Sequence, residues 1–250
     1  TEIILYLRDN TDEDDSFDDY LQEYKIKSLV KKYSDYVRYP IKMEVTKEVL
    51  KEGSKDKYET GTEKETLNSM IPIWRKSKAE ITEEDLHQFY QYQFHDYETP
   101  LKAIHMNVEG VLNYNALIFI PKRVPYDFYS EKYEKGLQLY SKGVFIQDKC
   151  KELVPDYLRF IKGLVDSPDL SLNISREILQ HDKQLQKIAT NLEKKLKNEF
   201  ERMLANDREN YIELYKVYGV NLKYGLYDRF GEKKDLVKDL VLFYSSLNKE

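Results

Sequence analysis

With 250 residues, 41% of them hydrophobic and 13% aromatic, the chain can bury a sizeable core as one large domain or two smaller ones, which excludes a disordered tail. Forty basic side chains against 45 acidic ones give a formal charge of -5, and a general nucleic-acid binder would be strongly basic. A single cysteine, Cys150, excludes an internal disulfide and fits a reducing compartment, and no apolar run approaches the roughly 20 residues that span a bilayer.

In chain order, Ile3 to Leu7 reads as a strand entered directly, as at a domain boundary, without the basic leader or cleavage site of a signal peptide. The acidic run Asp12 to Asp19 lacks the central glycine and distal glutamate of a calcium loop, so it reads as a solvated approach to a helix. Ile26, Leu29, Val30, Tyr33 and Val37 keep helical spacing up to Pro40, and Ile41, Met43 and Val45 return to the strand period. Lys47 to Thr62, polar with Gly53 and Gly61, is a loop or an extended hairpin. The only tryptophan, Trp74, sits in a short connection before the capping sequence Thr82-Glu83-Glu84-Asp85. The helix that follows presents Leu86, Phe89, Tyr90 and Phe94 at core spacing, the pattern of packing rather than of a base-stacking platform. His87 and His95 on it are two turns apart, too far for the i, i+4 geometry of zinc ligands.

Leu101 to Val108 and Leu112 to Ile120 form two strands about Glu109-Gly110, and Leu137 to Tyr140 and Val144 to Ile146 are two shorter ones about Ser141-Lys142-Gly143. Leu153 to Ile161 is expected to be a helix with Pro155 in its first turn. Leu170, Leu172 and Ile174 alternate with Ser171, Asn173 and Ser175, after which the pattern turns helical, with Ser175 as N-cap and Arg176 and Gln180 on one face. Beyond Gln180 the chain is helical: a stripe of Leu185, Ile188, Leu192, Leu196, Phe200 and Met203, a second helix through Tyr211, Leu214, Tyr215 and Tyr218 that stops near Gly219, and a third through Leu236, Val237, Leu240, Val241 and Tyr244. Lys194, Lys195 and Lys197 are read as the solvated face of the first, not as a nucleic-acid surface. The expected fold is α/β: a mixed sheet of about five strands layered with helices over residues 1–180, then a three-helix coil over 181–250.

The chemistry is sparse. There is no phosphate-cradling glycine loop, no G-x-S-x-G elbow, no Cys/His constellation and no paired metal motif, which disfavours a self-contained nucleotide site or hydrolase. Arg176 remains, in the first turn of a helix whose dipole opposes it. Two readings fit that placement: a guanidinium offered to a phosphate bound elsewhere, or one paired with a neighbouring carboxylate.

The run Gly163-Leu164-Val165-Asp166-Ser167-Pro168-Asp169-Leu170-Ser171-Leu172-Asn173-Ile174-Ser175-Arg176-Glu177-Ile178-Leu179-Gln180 resembles the signature of the middle segment of the ninety-kilodalton heat-shock chaperones. Ile4-Leu5-Tyr6-Leu7-Arg8, Pro72-Ile73-Trp74-Arg75, Ile118 to Arg123 and Asp156 to Phe160 extend the likeness along the chain, closest to the bacterial, HtpG-type members. The resemblance implies one part of a dimeric, cytoplasmic, ATP-dependent chaperone, flanked by an N-terminal ATP-binding domain and a C-terminal dimerisation domain that lie outside these residues. It implies that Arg176 reaches the γ-phosphate of ATP, bound with Mg2+ in the N-terminal domain, with Gln180 beside it and Asn173 ordering the loop, and that the fragment alone has no turnover and binds no cofactor. It also implies contacts with unfolded clients through Trp74 and Tyr126, and with cochaperones. Two residues depart from the family pattern: Ser171 stands where proline is frequent, and Tyr126 where an apolar aromatic is common. The chain also stops, on this reading, short of the small α/β unit that closes the family's middle segment. The alternative from another class is an interaction scaffold in which Arg176 is purely structural.

Overall fold

The computed structural model describes residues 1–10, 16–50, 58–170 and 182–243. The chain divides into two compact units, Thr1–Pro72 and Ile73–Glu250. In the first, a 3-10 turn at Phe17–Leu21 leads into helix α1 (Glu23–Leu29) and a π-helical turn, Val30–Ser34, and the helical run ends before Pro40 as expected. Strands β1 (Lys42–Leu50) and β2 (Tyr58–Thr66) pair antiparallel from Lys42↔Thr66 to Leu50↔Tyr58, so the stretch left open between loop and hairpin is a hairpin. Asn68 closes its base: the side-chain oxygen accepts from Ile41 N at 2.8 Å, and the amide donates to the carbonyls of Val37 and Tyr39. Ile3 to Leu7 is not a strand; these residues are exposed and have no ladder partner among the described residues, because alternation supplies a face but no neighbour to bond it.

In the second unit, helix α2 (Glu83–Phe94) begins at the expected capping box, with Thr82 Oγ1 accepting from Asp85 N and the Asp85 carboxylate accepting from Thr82 N. Strands β3 (Lys102–Val108), β4 (Tyr114–Ile120), β5 (Leu137–Ser141), β6 (Val144–Cys150) and β7 (Lys162–Asp166) form a five-stranded sheet in the order β3-β4-β7-β5-β6. The sheet is mixed, since β7 runs antiparallel to β4 and parallel to β5. Its central strand, β7, is the one the sequence conceals: it is short and buried on both faces, so it carries no alternation. The helix expected at Leu153 to Ile161 is instead two 3-10 turns, Lys151–Leu153 and Asp156–Leu158, on either side of Pro155, which has no N–H to continue a helical ladder.

The sheet is covered on both faces. Ile104, Met106, Ala116, Ile118 and Ile120 share a core with helices α3 (Lys183–Asn206) and α4 (Arg208–Tyr224), and every residue of the expected α3 stripe, Leu185 through Met203, is buried. On the other face Phe119 meets the rings of Phe89, Tyr90 and Phe94 from α2. Helices α3 and α4 thus share one core with the sheet. Helix α4 continues past Gly219 to Tyr224, because a mid-helix glycine costs only about 1 kcal/mol and burying Leu222 beyond it, like Tyr218 before it, outweighs that. The third helix is brief: single turns α5 (Asp228–Gly231) and α6 (Lys234–Val237) and a 3-10 turn to Leu240, while Tyr244 lies outside the described residues.

Candidate functional site

A buried polar cluster stands where β7 ends. Asp166 is fully buried, and four N–H groups converge on it: Trp74 Nε1 at 2.9 Å, Arg75 Nε at 2.9 Å and Nη2 at 2.7 Å on one oxygen, and Gly143 N at 3.2 Å on the other. A buried carboxylate is tolerable only when its lone pairs are filled in this way. The donors come from two places: a 3-10 turn, Ile73–Arg75, and the β5–β6 hairpin, where Lys142 (φ 54°) and Gly143 (φ 84°) take the left-handed turn that aims the glycine N–H inward. The indole of Trp74 also packs at 5.1 Å from the Tyr140 ring and 6.0 Å from Phe89.

Downstream of Asp166 the chain stays fastened. Ser167 N donates to Tyr140 O, and its hydroxyl donates to Asn113 O at 2.6 Å. The Asp169 carboxylate accepts from Asn113 N at 3.1 Å and from Asn113 Nδ2 at 3.2 Å, and from Gln184 Nε2, in the first turn of α3, at 3.4 Å. Ser141 Oγ donates to Leu170 O at 2.7 Å. On the far side of the intervening segment, Asp182 caps α3 by accepting from Gln184 N at 2.7 Å and Leu185 N at 2.9 Å. Arg176, Gln180 and Asn173, the residues singled out for phosphate contact, lie between these two points and outside the described residues.

The two residues expected to meet clients fare differently. Trp74 is 0% exposed, so its assignment to a client surface is corrected: the indole N–H serves Asp166 and the ring fills the space between sheet and helix. Tyr126 is fully exposed in the turn after β4, with Tyr129 also exposed, while Phe128 between them is buried and anchors the turn. Sequence reasoning missed Asp166, Arg75, Asn113 and Asp169. The available signal was a carboxylate directly after the apolar pair Leu164-Val165, a position where a charge needs a built partner set.

Other chemistry is limited. Among the described residues no group of His, Cys, Asp and Glu side chains could hold a metal ion. One open cleft of about 580 Å³, at the free edge of β3, is lined by Lys76, Lys78, Lys195 and Arg202, and another of about 470 Å³ lies beside Gln138 and Asp148. Neither joins an apolar slot for a nucleotide base to a glycine-rich phosphate loop. Burial, with Glu152 beside it, pushes the Cys150 thiol up to about 12, which leaves it protonated and unreactive at neutral pH.

The sequence pattern of the family described as Hsp90 protein matches residues 19–66 and 51–250, nearly the whole chain. The chain belongs to the Hsp90 family. It is 54% identical over all 250 residues to the chaperone protein HtpG of Clostridium perfringens (strain ATCC 13124), and 54% identical to that of Clostridium botulinum (strain 657). The chain spans 40% of the length of these curated relatives. Among solved structures it is similar to the middle domain of a Plasmodium falciparum heat shock protein, with a TM-score of 0.60 and 29% identity over 70% of this chain and 67% of that one. It corresponds to the middle segment of an Hsp90 protein of the bacterial HtpG type, and no described helix is long and apolar enough to cross a membrane.

Proposed function

We propose that this chain is the working middle segment of a cytoplasmic, ATP-dependent chaperone and that it completes an ATPase whose nucleotide site lies in an N-terminal domain of the same protein. In this reading Arg176 extends to the γ-phosphate, Gln180 lies beside it and Asn173 orders the approach, while ATP and Mg2+ are held by the other domain and supply the phosphoryl group. The guanidinium offers a fixed positive charge and a planar fork of donors to an oxyanion, a contribution that grows as charge builds in the transition state. The observation that carries the proposal is the frame on both sides of that segment. Leu170 is held by Ser141, Asp169 by Asn113 and Gln184, and Asp182 caps α3, so the arginine's segment springs from fixed ends. Unfolded clients would meet the exposed Tyr126 and Tyr129 rings, and further partners would be the protein's own N-terminal and dimerisation domains and cochaperones.

The test is Arg176→Ala in the full-length chaperone that carries this segment. Turnover should fall by about a thousandfold, the lower end of the range for loss of a charge-stabilising arginine in phosphoryl transfer, with ATP affinity nearly intact because the principal nucleotide contacts lie elsewhere. Unchanged turnover, with docking of the two domains demonstrated, would refute the assignment.

A further inference from the structure

An open sheet edge offers unpaired N–H and C=O groups to another strand, so a fold ordinarily blunts both of its edges. Among the described residues the edges of the five-stranded sheet are β6 and β3, and they differ. The pairing of β6 with β5 is irregular, with register shifts between Leu137 and Leu139 and between Leu139 and Tyr140, and β6 itself carries Asp148 and Lys149. Irregular pairing and charges on the strand both discourage a further neighbour. β3 has neither. It pairs with β4 in unbroken register from Lys102↔Ile120 to Val108↔Tyr114, and it contains no Asp, Glu, Arg or proline. Its one lysine, Lys102, stands at the first position and lies 3.9 Å from Asp207.

The cleft of about 580 Å³ runs across this edge, since its lining includes the consecutive residues His105, Met106 and Asn107, which face alternate sides of the sheet. Lys76 and Lys78 enter it from the segment after the 3-10 turn Ile73–Arg75, and Lys195 and Arg202 from α3. Four cations are thus gathered with a single carboxylate, Glu199, which lies 2.7 Å from Arg202, in a chain whose formal charge is -5. Among the described residues Lys76, Lys78 and Lys195 make no salt bridge. Cations that protected the edge would stand on β3 itself; these frame it from other elements and leave its backbone open.

We propose that the free edge of β3 is a docking site for an extended, acidic segment of a partner protein, which adds as a strand and sets its carboxylates against Lys76, Lys78, Lys195 and Arg202. Main-chain bonds supply the general affinity, and the four cations select the sign of the partner. A single-stranded nucleic acid fits less well: no Phe, Tyr or Trp side chain lines the cleft to stack a base, and an amide edge matches a polypeptide ladder. This surface is independent of Arg176 and of the proposed contact with ATP.

The probe is a fluorescein-labelled heptapeptide of alternating glutamate and valine, titrated by fluorescence anisotropy against the 250-residue chain. Saturable binding that weakens as salt rises is expected, with the lysine–valine counterpart weaker by about tenfold or more. Lys76→Glu combined with Lys195→Glu should weaken binding by about tenfold or more, because two attractive contacts become repulsive. Should that pair not fold, Lys76→Glu with Lys78→Glu, both at exposed positions, carries the same expectation. Successive N–H groups of an extended peptide point to opposite edges, so N-methylation of the glutamates alone and of the valines alone should act unequally, the set that faces β3 abolishing binding. Equal effects of the two would overturn strand addition. Equally tight binding of the lysine peptide, indifference to the charge reversals, or no saturable binding at about 1 mM peptide would overturn the site itself. An oligothymidylate that binds more tightly than the glutamate peptide, and weakens with the same reversals, would assign the cleft to nucleic acid instead.

Discussion

Replacing the buried Trp74 by phenylalanine separates a structural indole from a client-binding one. The substitution removes a hydrogen bond to a charged acceptor, a class worth about 1.5 to 3 kcal/mol, but Asp166 keeps Arg75 and Gly143 as donors, which places the loss near the lower figure. Phenylalanine also leaves about 40 Å³ unfilled between Tyr140 and Phe89, which at ~24 cal/mol per Å³ adds about 1 kcal/mol. The total, about 2 to 3.5 kcal/mol, is a large share of the 5 to 15 kcal/mol typical of a domain, and for a unit of this size it lowers Tm by roughly 4 to 14 °C. Urea denaturation of the 250-residue chain, followed by far-UV circular dichroism, measures it. A loss below about 0.5 kcal/mol, the size of an ordinary surface substitution, would refute the buried and bonded placement of the indole.

Gly163→Ala should be among the most damaging single-methyl additions: φ is +146° and a Cβ there would stand 2.3 Å from Leu117 O and 2.9 Å from Ile118 Cα, so β4 and β7 must part, at a cost of about 2 to 6 kcal/mol in the same denaturation assay. Cys150 should resist a thiol-specific disulfide reagent at pH 8 in the folded chain and react at once in denaturant, and rapid labelling without denaturant would contradict its burial. Burial alone would raise the Asp96 carboxyl, but the bonds from Tyr90 and Lys162 outweigh it and hold it below its usual value. A depressed carboxyl contributes stability above its unfolded value of about 3.9 and loses it as the pH falls through the lower folded value, so Asp96→Asn should lower Tm at pH 6 and narrow its gap from the wild type between pH 4 and pH 2; a gap that stays constant would contradict the pairing.

Much of this molecule follows from local pattern. The Thr82 to Asp85 cap, the six-residue stripe of α3, the Glu109-Gly110 and Lys142-Gly143 hairpins and the break before Pro40 are each specified by neighbours a few residues apart, and each stands as expected. Family kinship was likewise written in the run from Gly163 to Gln180, through the order of its residues rather than any spacing rule. Where several contacts at long range compete with local preference, the sequence by itself misleads. Ile3 to Leu7 alternates without a partner strand, Leu153 to Ile161 has helical composition interrupted by Pro155, and Gly219 punctuates a helix that tertiary burial carries through.

The site divides along the same line. The order Ser175-Arg176-Glu177 is enough to raise the expectation of a guanidinium set against a helix dipole, and by itself it leaves a phosphate and a neighbouring carboxylate both open as its partner. That Trp74 is interior was decided only by folding, which brings residues 92 positions apart in sequence to within 2.9 Å and gives the indole a carboxylate to serve. The apolar pair before Asp166 points to burial, but which donors would serve the carboxylate is hidden for the same reason. A buried charge is defined by the donors around it, and Trp74, Arg75 and Gly143 become its neighbours only when β7 is inserted between β4 and β5.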